Sequence, residues 1–166
     1  MTRLVGAALS LALVDRLSQR DLDRRLGVGL PLVTLDAEGR PHPMLVSYLE
    51  LRAYDARTLG LVIQAESTSA RNLVERRVGT LVVVEPDTIV YAKMRALDGP
   101  FDVPGGEPYG LGYFLLEVEE VLEDTAADWE AGMQVTETIR YSPTPTLAEP
   151  WVRATLAALT APRARA

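Results

Sequence analysis

Three consecutive hydroxyl side chains, Ser67-Thr68-Ser69, are followed closely by Arg71 and Asn72. The run comes directly after an apolar stretch and has the composition of a helix start, where a hydroxyl caps unpaired backbone amides. Such amides, with further hydroxyl donors and a guanidinium, form a natural site for a phosphate group. An ordinary capped helix with a solvated arginine is the alternative interpretation of the same residues.

A second pair of candidates lies on a predicted strand over Thr88–Leu97. Lys93 and Arg95 are two residues apart and therefore share one face of that strand. They either contact an anionic ligand or stand on the solvated exterior of a barrel. His42, between two prolines, is interpreted as a hydrogen-bonded residue beside a turn, with a role as a ligand as the alternative.

The composition excludes several kinds of site. The 166 residues include no cysteine and one histidine, so disulfides, thiolate chemistry and a histidine-based metal cluster are ruled out and no metal site is expected. The formal net charge of −6 argues against a nucleic-acid partner, since phosphate neutralisation needs a basic surface. Glu119-Glu120 and Glu123-Asp124 point to opposite faces of a strand, so we interpret them as solvated charge and not as paired catalytic carboxylates.

The N-terminal segment, residues 1–29, has the hydrophobic pattern of a helix. Apolar residues recur through it, and a helix over Leu4–Arg25 is predicted. The apolar run Leu4–Val14 is too short to span a bilayer. A cytoplasmic first helix is preferred to a cleaved signal peptide, and no membrane partner is expected.

The elements that must position these candidates are short strands joined by tight turns, within one domain. The barrel is expected over residues 30–141, followed by a proline-rich loop and a C-terminal helix over residues 142–166. Strands are predicted at Leu32–Asp36, Pro43–Arg52, Thr58–Gln64, Gly79–Glu85, Thr88–Leu97, Tyr113–Leu122 and Gln134–Tyr141, with a hairpin turn at Asp36–Gly39 and a loop at Asp98–Gly112. Helices are predicted from Ser67 or Thr68 to Arg76, from Thr125 to Met133, and over Trp151–Leu159. Trp129 is interpreted as a core anchor, with a contact to a partner subunit as the alternative. This order favours a mainly β fold, an antiparallel barrel with peripheral helices.

The order of strand, Asp-Ala-Glu-Gly-Arg-Pro-His-Pro hairpin, two strands, Ser-Thr-Ser-Ala-Arg-Asn-Leu helix and valine-rich strand resembles the pyridoxamine 5′-phosphate oxidase-like, FMN-binding split-barrel family. The resemblance covers about Leu30–Leu97. It implies a six-stranded antiparallel split barrel that forms a homodimer, with FMN, or in some relatives a deazaflavin, held at the subunit interface. Some relatives handle haem, which makes haem ligation by the single histidine, His42, an alternative that the resemblance implies.

The resemblance also implies which residues hold the cofactor. The phosphate-binding segment falls on Gln64, Ser67, Thr68, Ser69, Arg71 and Asn72; the strand that lines the flavin ring falls on Pro43–Tyr48, including Met44 and Val46; and the next basic strand position falls on Lys93. Two features depart from the oxidase itself, which has an Arg-Lys pair where this chain has Thr68-Ser69 and an arginine where it has Met44. Pyridoxamine 5′-phosphate oxidase activity is therefore not expected.

Two functions follow as expectations. The first is an FMN-binding, flavin-dependent oxidoreductase whose substrate and catalytic residues the sequence does not identify. The second is a non-enzymatic ligand-binding or interaction protein of the same fold with a degenerate phosphate site. Haem or deazaflavin binding is a third interpretation.

Overall fold

The computed structural model describes residues 1–86, 88–130 and 132–164 as an antiparallel β-sheet with short helices around it. The strands are β1 (Thr2–Gly6), β2 (Gly29–Leu35), β3 (Pro41–Ser47), β4 (Leu51–Ala53), β5 (Thr58–Gln64), β6 (Val78–Glu85), β7 (Thr88–Asp102) and β8 (Leu111–Asp124). The helices are α1 (Leu11–Arg16), α2 (Leu22–Arg25), α3 (Thr68–Glu75) and α4 (Pro150–Ala158), with 3-10 turns at Glu107–Tyr109 and Asp128–Glu130. None of the helices in these ranges is long and apolar enough to cross a membrane.

The strands are arranged in the order β3-β2-β6-β7-β8-β5-β4, and β1 pairs with the end of β8 beyond β5. Along β7 the buried side chains of Ala92, Met94 and Ala96 alternate with exposed Lys93 and Arg95. This period of two gives the sheet one apolar inner face and one outer face. The terminal strands of the order, β3 and β4, are joined by only three residues, so the sheet curls into a split barrel. The predicted mainly β, antiparallel split-barrel fold is confirmed, with eight strands in the sheet where six were expected.

The hairpin between β2 and β3 forms where the sequence predicts it. One carboxylate oxygen of Asp36 accepts hydrogen bonds from the backbone amides of Glu38 and Arg40, at 3.0 and 2.8 Å. Gly39 has a φ of +78°, which only glycine adopts readily. The turn therefore follows from local chemistry.

The predicted single strand over Pro43–Arg52 is wrong, because the chain bends between β3 and β4. The Glu50 carboxylate accepts hydrogen bonds from the Ser47 amide and hydroxyl, at 2.7 and 2.8 Å, in place of a regular ladder. Gln19 stabilises the bend from outside, since its Nε2 donates to the carbonyls of Tyr48, Leu49 and Leu51 at 3.3, 3.1 and 3.0 Å. The bend between β3 and β4 is thus held by a side chain from the N-terminal segment.

The predicted helix over Leu4–Arg25 is also wrong. Its first residues form β1, and the rest divides into α1 and α2. Gly6 has a φ of +148°, which ends the strand, and the Ser10 hydroxyl then accepts the Leu13 amide at 3.2 Å to begin α1. Arg16 and Arg25 pair with Glu85 at 2.5 and 3.2 Å and attach this segment to the barrel.

The predicted loop over Asp98–Gly112 is shorter than expected at both ends. β7 continues to Asp102 and β8 begins at Leu111. Two of the residues that suggested a loop, Gly99 and Pro100, lie at a register shift between Asp98 and Phe101, where β7 bulges against β8. Bulges and loops favour the same residue types, so composition alone did not distinguish them.

The segment after β8 differs most from expectation. The predicted helix from Thr125 to Met133 is wrong, because the chain forms only a 3-10 turn there; position 131 lies outside the described residues. Trp129 is 83% exposed, so its assignment to the core is wrong. The predicted strand over Gln134–Tyr141 is wrong as well, since it pairs with the barrel only through a bridge between Arg140 and Val28.

Helix α4 confirms the predicted C-terminal helix to within one residue at each end. Its buried residues Ala154 and Ala158 pack with Leu159 against Val62 of β5 and Tyr113 of β8. The contact requires a glycine at position 60. A Cβ there would lie 2.5 Å from the Tyr54 hydroxyl, 2.8 Å from Leu159 Cδ2 and 3.0 Å from Tyr113 Cε2. The missing side chain therefore lets the helix lie close to the barrel.

Candidate functional site

The first candidate site is the start of α3. β5 ends at Gln64, and the Ser67 amide donates to the Gln64 carbonyl at 3.0 Å, turning the chain into the helix. The Ser67 hydroxyl accepts the Ala70 amide at 3.1 Å, so the predicted cap is confirmed. The amides of Thr68 and Ser69, in the first turn, have no intrahelical acceptor. The helix therefore begins with free donors.

Two of the predicted phosphate ligands meet at this exposed end. The Arg71 guanidinium donates to the Thr68 hydroxyl at 3.0 Å and to the Glu66 carbonyl at 2.6 Å. Thr68 and Arg71 are one helical turn apart, and so their side chains reach each other. Gln64 is exposed at the end of β5. These groups are available to a ligand.

The other two residues of the segment face the barrel. Ser69 is 2% exposed, and its hydroxyl has no hydrogen-bond partner in the described structure. Asn72 is buried, and its Nδ2 donates to the Thr34 hydroxyl on β2 at 2.9 Å. Asn72 thus anchors the helix to the sheet. Neither side chain lies on the surface that a phosphate would approach.

In the described structure, no hydrogen bond joins the strand residues predicted to contact the cofactor to Thr68 or Arg71. Val46 is completely buried in the barrel core, and Met44 packs against the same core. Lys93 stands on the outer face of β7, where its Nζ pairs with Glu120 at 2.5 Å. His42 is half-buried on β3, and its carbonyl accepts the Thr34 hydroxyl at 3.3 Å. The structure brings Thr68 and Arg71 into direct contact. It shows no such contact for Gln64, Met44, Val46 or Lys93 within the described ranges.

The donors at the start of α3 fit a phosphate group. Free amides, a hydroxyl and a guanidinium all donate hydrogen bonds, and the guanidinium adds the positive charge that phosphate oxygens require. The N-terminal end of the helix dipole favours an anion as well. These groups can bind and orient an anionic ligand, but none of them is an acid or base suited to a reaction near neutral pH.

A second candidate site was missed by the sequence analysis. A cavity of about 390 Å³ lies at the bend between β3 and β4. We call it the Glu50 pocket; its principal lining residues are Leu45, Ser47, Leu49, Glu50, Tyr141 and Trp151. The sequence signal for this pocket is Glu50, a lone carboxylate between two leucines, because burying a charge is unfavourable unless the structure compensates it.

The electrostatics of the pocket centre on Glu50. Burial raises the pKa of this carboxyl, and the two hydrogen bonds from Ser47 offset part of that effect. Burial also raises the pKa of Tyr141, and the negative charge of Glu50 contributes to the rise. The Trp151 indole is held in place by a hydrogen bond from Nε1 to Glu149 at 2.6 Å.

A third cluster of charges is structural. Glu85 pairs with Arg16 and Arg25 and accepts a hydrogen bond from the Tyr48 hydroxyl. Burial and the Glu85 carboxylate raise the pKa of Tyr48, so this phenol stays protonated. The cluster satisfies its own charges and joins the N-terminal segment to β6.

Comparisons with known proteins support the fold. No protein-family model and no curated protein matches this chain. A Lactobacillus delbrueckii protein assigned as a pyridoxamine 5′-phosphate oxidase has a similar structure, with a TM-score of 0.55, 19% identity, and coverage of 73% of this chain and 98% of that one.

Two further solved structures are similar. An FMN-binding protein from Syntrophomonas wolfei gives a TM-score of 0.52 at 10% identity and covers 70% of this chain and 89% of its own. HupZ from Group A Streptococcus gives a TM-score of 0.50 at 10% identity, and the match covers 81% of this chain and 100% of HupZ. The chain therefore has the fold of the FMN-binding split-barrel proteins related to pyridoxamine 5′-phosphate oxidase.

Proposed function

We propose that this chain is a cytoplasmic flavoprotein that binds FMN and acts as a flavin-dependent oxidoreductase on a small molecule. The observation that carries the proposal is the exposed start of α3, where free amides, the Thr68 hydroxyl and the Arg71 guanidinium converge. The split-barrel fold supports it, because one similar structure is an FMN-binding protein.

In this proposal the protein supplies binding and orientation. Arg71 and Thr68 hold the phosphate, and Gln64, exposed at the end of β5, supplies a further polar contact. When FMN is bound, the flavin itself supplies the electron or hydride transfer, so no side chain has to act as a catalytic acid or base. The residues of this chain set where the cofactor lies and what can approach it.

We also propose that the protein works as a homodimer. The start of α3 is open to solvent, and Val74, which is 51% exposed, lies three residues from Arg71 on the same helix face. A second copy packed over Val74 would bury this apolar surface and cover the phosphate site from the outside.

A second candidate function rests on the contacts of Arg71. Its guanidinium already donates to Thr68 and to the Glu66 carbonyl, and no second basic side chain stands beside it in the Thr68-Ser69 pair. A split-barrel protein that has lost flavin binding and serves as a ligand-binding or interaction protein fits that arrangement.

An FMN titration tests the first proposal against the second. FMN fluorescence should be quenched by the purified protein, and Arg71→Ala should weaken binding about tenfold or more, because a charged hydrogen bond to the phosphate is lost. Arg71→Lys should restore part of the affinity, and Arg153→Ala, at an exposed arginine on α4, should leave it unchanged. Absence of FMN binding, or equal affinity in Arg71→Ala, would contradict the proposal.

The absorption spectrum of the protein as purified distinguishes the remaining cofactors. Oxidised FMN gives a yellow protein with two bands in the near-ultraviolet and blue regions. A deazaflavin shifts the visible band, and haem produces an intense Soret band. We expect the flavin spectrum. A Soret band would instead show that the cofactor is haem and not FMN.

A further inference from the structure

We propose that the Glu50 pocket binds a small organic cation, an ammonium group carried on an apolar or aromatic body. This goes beyond flavin binding. The pocket shares Leu45 and Ser47 with the strand expected to line the flavin, but it contains no residue of α3. The two sites can therefore be tested separately.

The first argument is charge. One oxygen of the Glu50 carboxylate accepts both hydrogen bonds from Ser47. Across the described ranges, no lysine, arginine or histidine pairs with this carboxylate. A half-buried carboxylate without a cation loses hydration that the protein does not fully replace. A ligand with a positive charge supplies the missing partner.

The second argument is the shape and chemistry of the walls. The cavity of about 390 Å³ falls in the size range of small-molecule pockets. Leu45, Leu49 and the prolines at 143 and 145 supply apolar surface, and Tyr141 and Trp151 supply aromatic rings. Aromatic rings attract ammonium groups through their π faces. Carboxylate and rings thus favour the same ligand.

The third argument is selectivity against anions. The principal lining residues of the Glu50 pocket include no basic side chain. A phosphate or a carboxylate would meet the negative charge of Glu50 without compensation. The pocket therefore suits a ligand of opposite charge to the one proposed for the start of α3.

The pocket is also held in shape before any ligand enters. The bond to Glu149 fixes the Trp151 ring, and the bonds from Ser47 fix Glu50. Preformed sites lose less conformational freedom on binding.

Benzylamine is the probe for the experiment, because it is a cation at neutral pH with an aromatic body. The sequence has two tryptophans, Trp129 and Trp151, so a Trp129→Phe protein reports on the pocket through Trp151 alone. Benzylamine should change the Trp151 fluorescence saturably, and neutral benzyl alcohol, of nearly the same shape, should bind at least about tenfold more weakly.

Variants assign the binding to Glu50. In the Trp129→Phe background, Glu50→Gln keeps the shape of the side chain and can still accept the hydrogen bonds from Ser47. It should weaken benzylamine binding at least about tenfold and leave benzyl alcohol binding unchanged. Glu75→Gln, at an exposed carboxylate on α3, should have no effect. Leu45→Lys places an ammonium group in the pocket that can pair with the Glu50 carboxylate, so it should also weaken benzylamine binding. The test therefore does not depend on one variant.

Two outcomes would overturn the proposal: equal binding of benzylamine and benzyl alcohol, or unchanged benzylamine affinity in Glu50→Gln and Leu45→Lys. Its failure is distinguishable from failure of the flavin site, because Arg71→Ala should leave benzylamine binding intact and Glu50→Gln should leave FMN binding intact.

Discussion

Glu50 costs the protein stability when it is ionised. Burial raises its pKa in the folded state above the ordinary value of 4.5. A carboxyl with a raised folded-state pKa contributes its full stability below the unfolded pKa and loses it as the pH rises through the folded value. The folded protein therefore becomes less stable, on account of this group, between mildly acidic and neutral pH.

The first stability prediction concerns that pH range. Glu50→Gln should have nearly the same melting temperature as the original protein at a pH below 4.5, and a higher one at neutral pH, because the amide cannot ionise. Thermal unfolding across the pH range measures the difference. Glu75→Gln is the control and should change the melting temperature little. A difference that is constant with pH would mean that ionisation of Glu50 carries no cost.

Some residues of the candidate site could be identified from the sequence, and others could not. Ser67, Thr68 and Arg71 carry a local signal, since capping and helical spacing depend only on neighbours in the chain. Glu50 and Trp151 meet in one pocket although they are far apart in sequence. Their meeting depends on how the C-terminal segment crosses the barrel, which no local pattern encodes.

At the scale of elements, the contact between α4 and β5 depends on Gly60. Replacing it with alanine places a Cβ within 3.0 Å of the side chains of Tyr54, Tyr113 and Leu159, so these side chains must shift. We expect Gly60→Ala to reduce the free energy of unfolding by about 1–3 kcal/mol. Chemical denaturation followed by circular dichroism measures this change.

Gly79→Ala is the matched control for that substitution. Gly79 also lies in a strand, but an added Cβ would come no closer than 3.5 Å to its neighbours, which is ordinary contact. Its stability should change much less than that of Gly60→Ala. Equal losses in the two variants would show that the close approach of α4 is not the cause.

Elements that depend on contacts between neighbouring residues were predicted correctly, and an element that depends on distant partners was missed. The β2–β3 hairpin forms at its turn residues, α3 begins at a capping serine, and α4 begins at a proline. Each of these elements is therefore determined by residues within it or next to it. β1 was missed, because its partners lie on β8; Thr2 and Asp124, for example, are 122 residues apart. A strand whose pairing is so distant has no local signature.

At the scale of the whole molecule, the proposed homodimer makes a prediction about α3. If a second copy covers Val74, Val74→Glu should place charges in the interface and raise the dimer dissociation constant at least about tenfold. FMN affinity should fall with it, since the partner covers the phosphate site. Sedimentation velocity over a range of concentrations measures the assembly.

Leu11 provides the control for that variant. It is 86% exposed on α1, and α1 packs near the opposite end of β7 from α3. Leu11→Glu should therefore leave assembly and FMN affinity unchanged. A protein that sediments as a monomer before substitution, yet binds FMN, would contradict the dimer and leave the phosphate site intact.

The barrel as a whole was predictable because its strands alternate and its turns are tight, even where individual boundaries were wrong. The β3–β4 bend and the β7 bulge changed the course of single strands without changing their order. Order and alternation are properties of many residues together, so a few local errors did not alter the predicted architecture.

Gly60 also offers a way to sort related sequences. Chains with this fold share few residues, so overall identity says little about which of them have the same ligand pocket. A side chain at the aligned position would meet Leu159, which caps the C-terminal helix whose first turn carries Trp151, one wall of the pocket. A glycine there, together with an acid at the position of Glu50, is therefore a two-residue marker by which genome sequences could be searched for proteins that retain the same pocket.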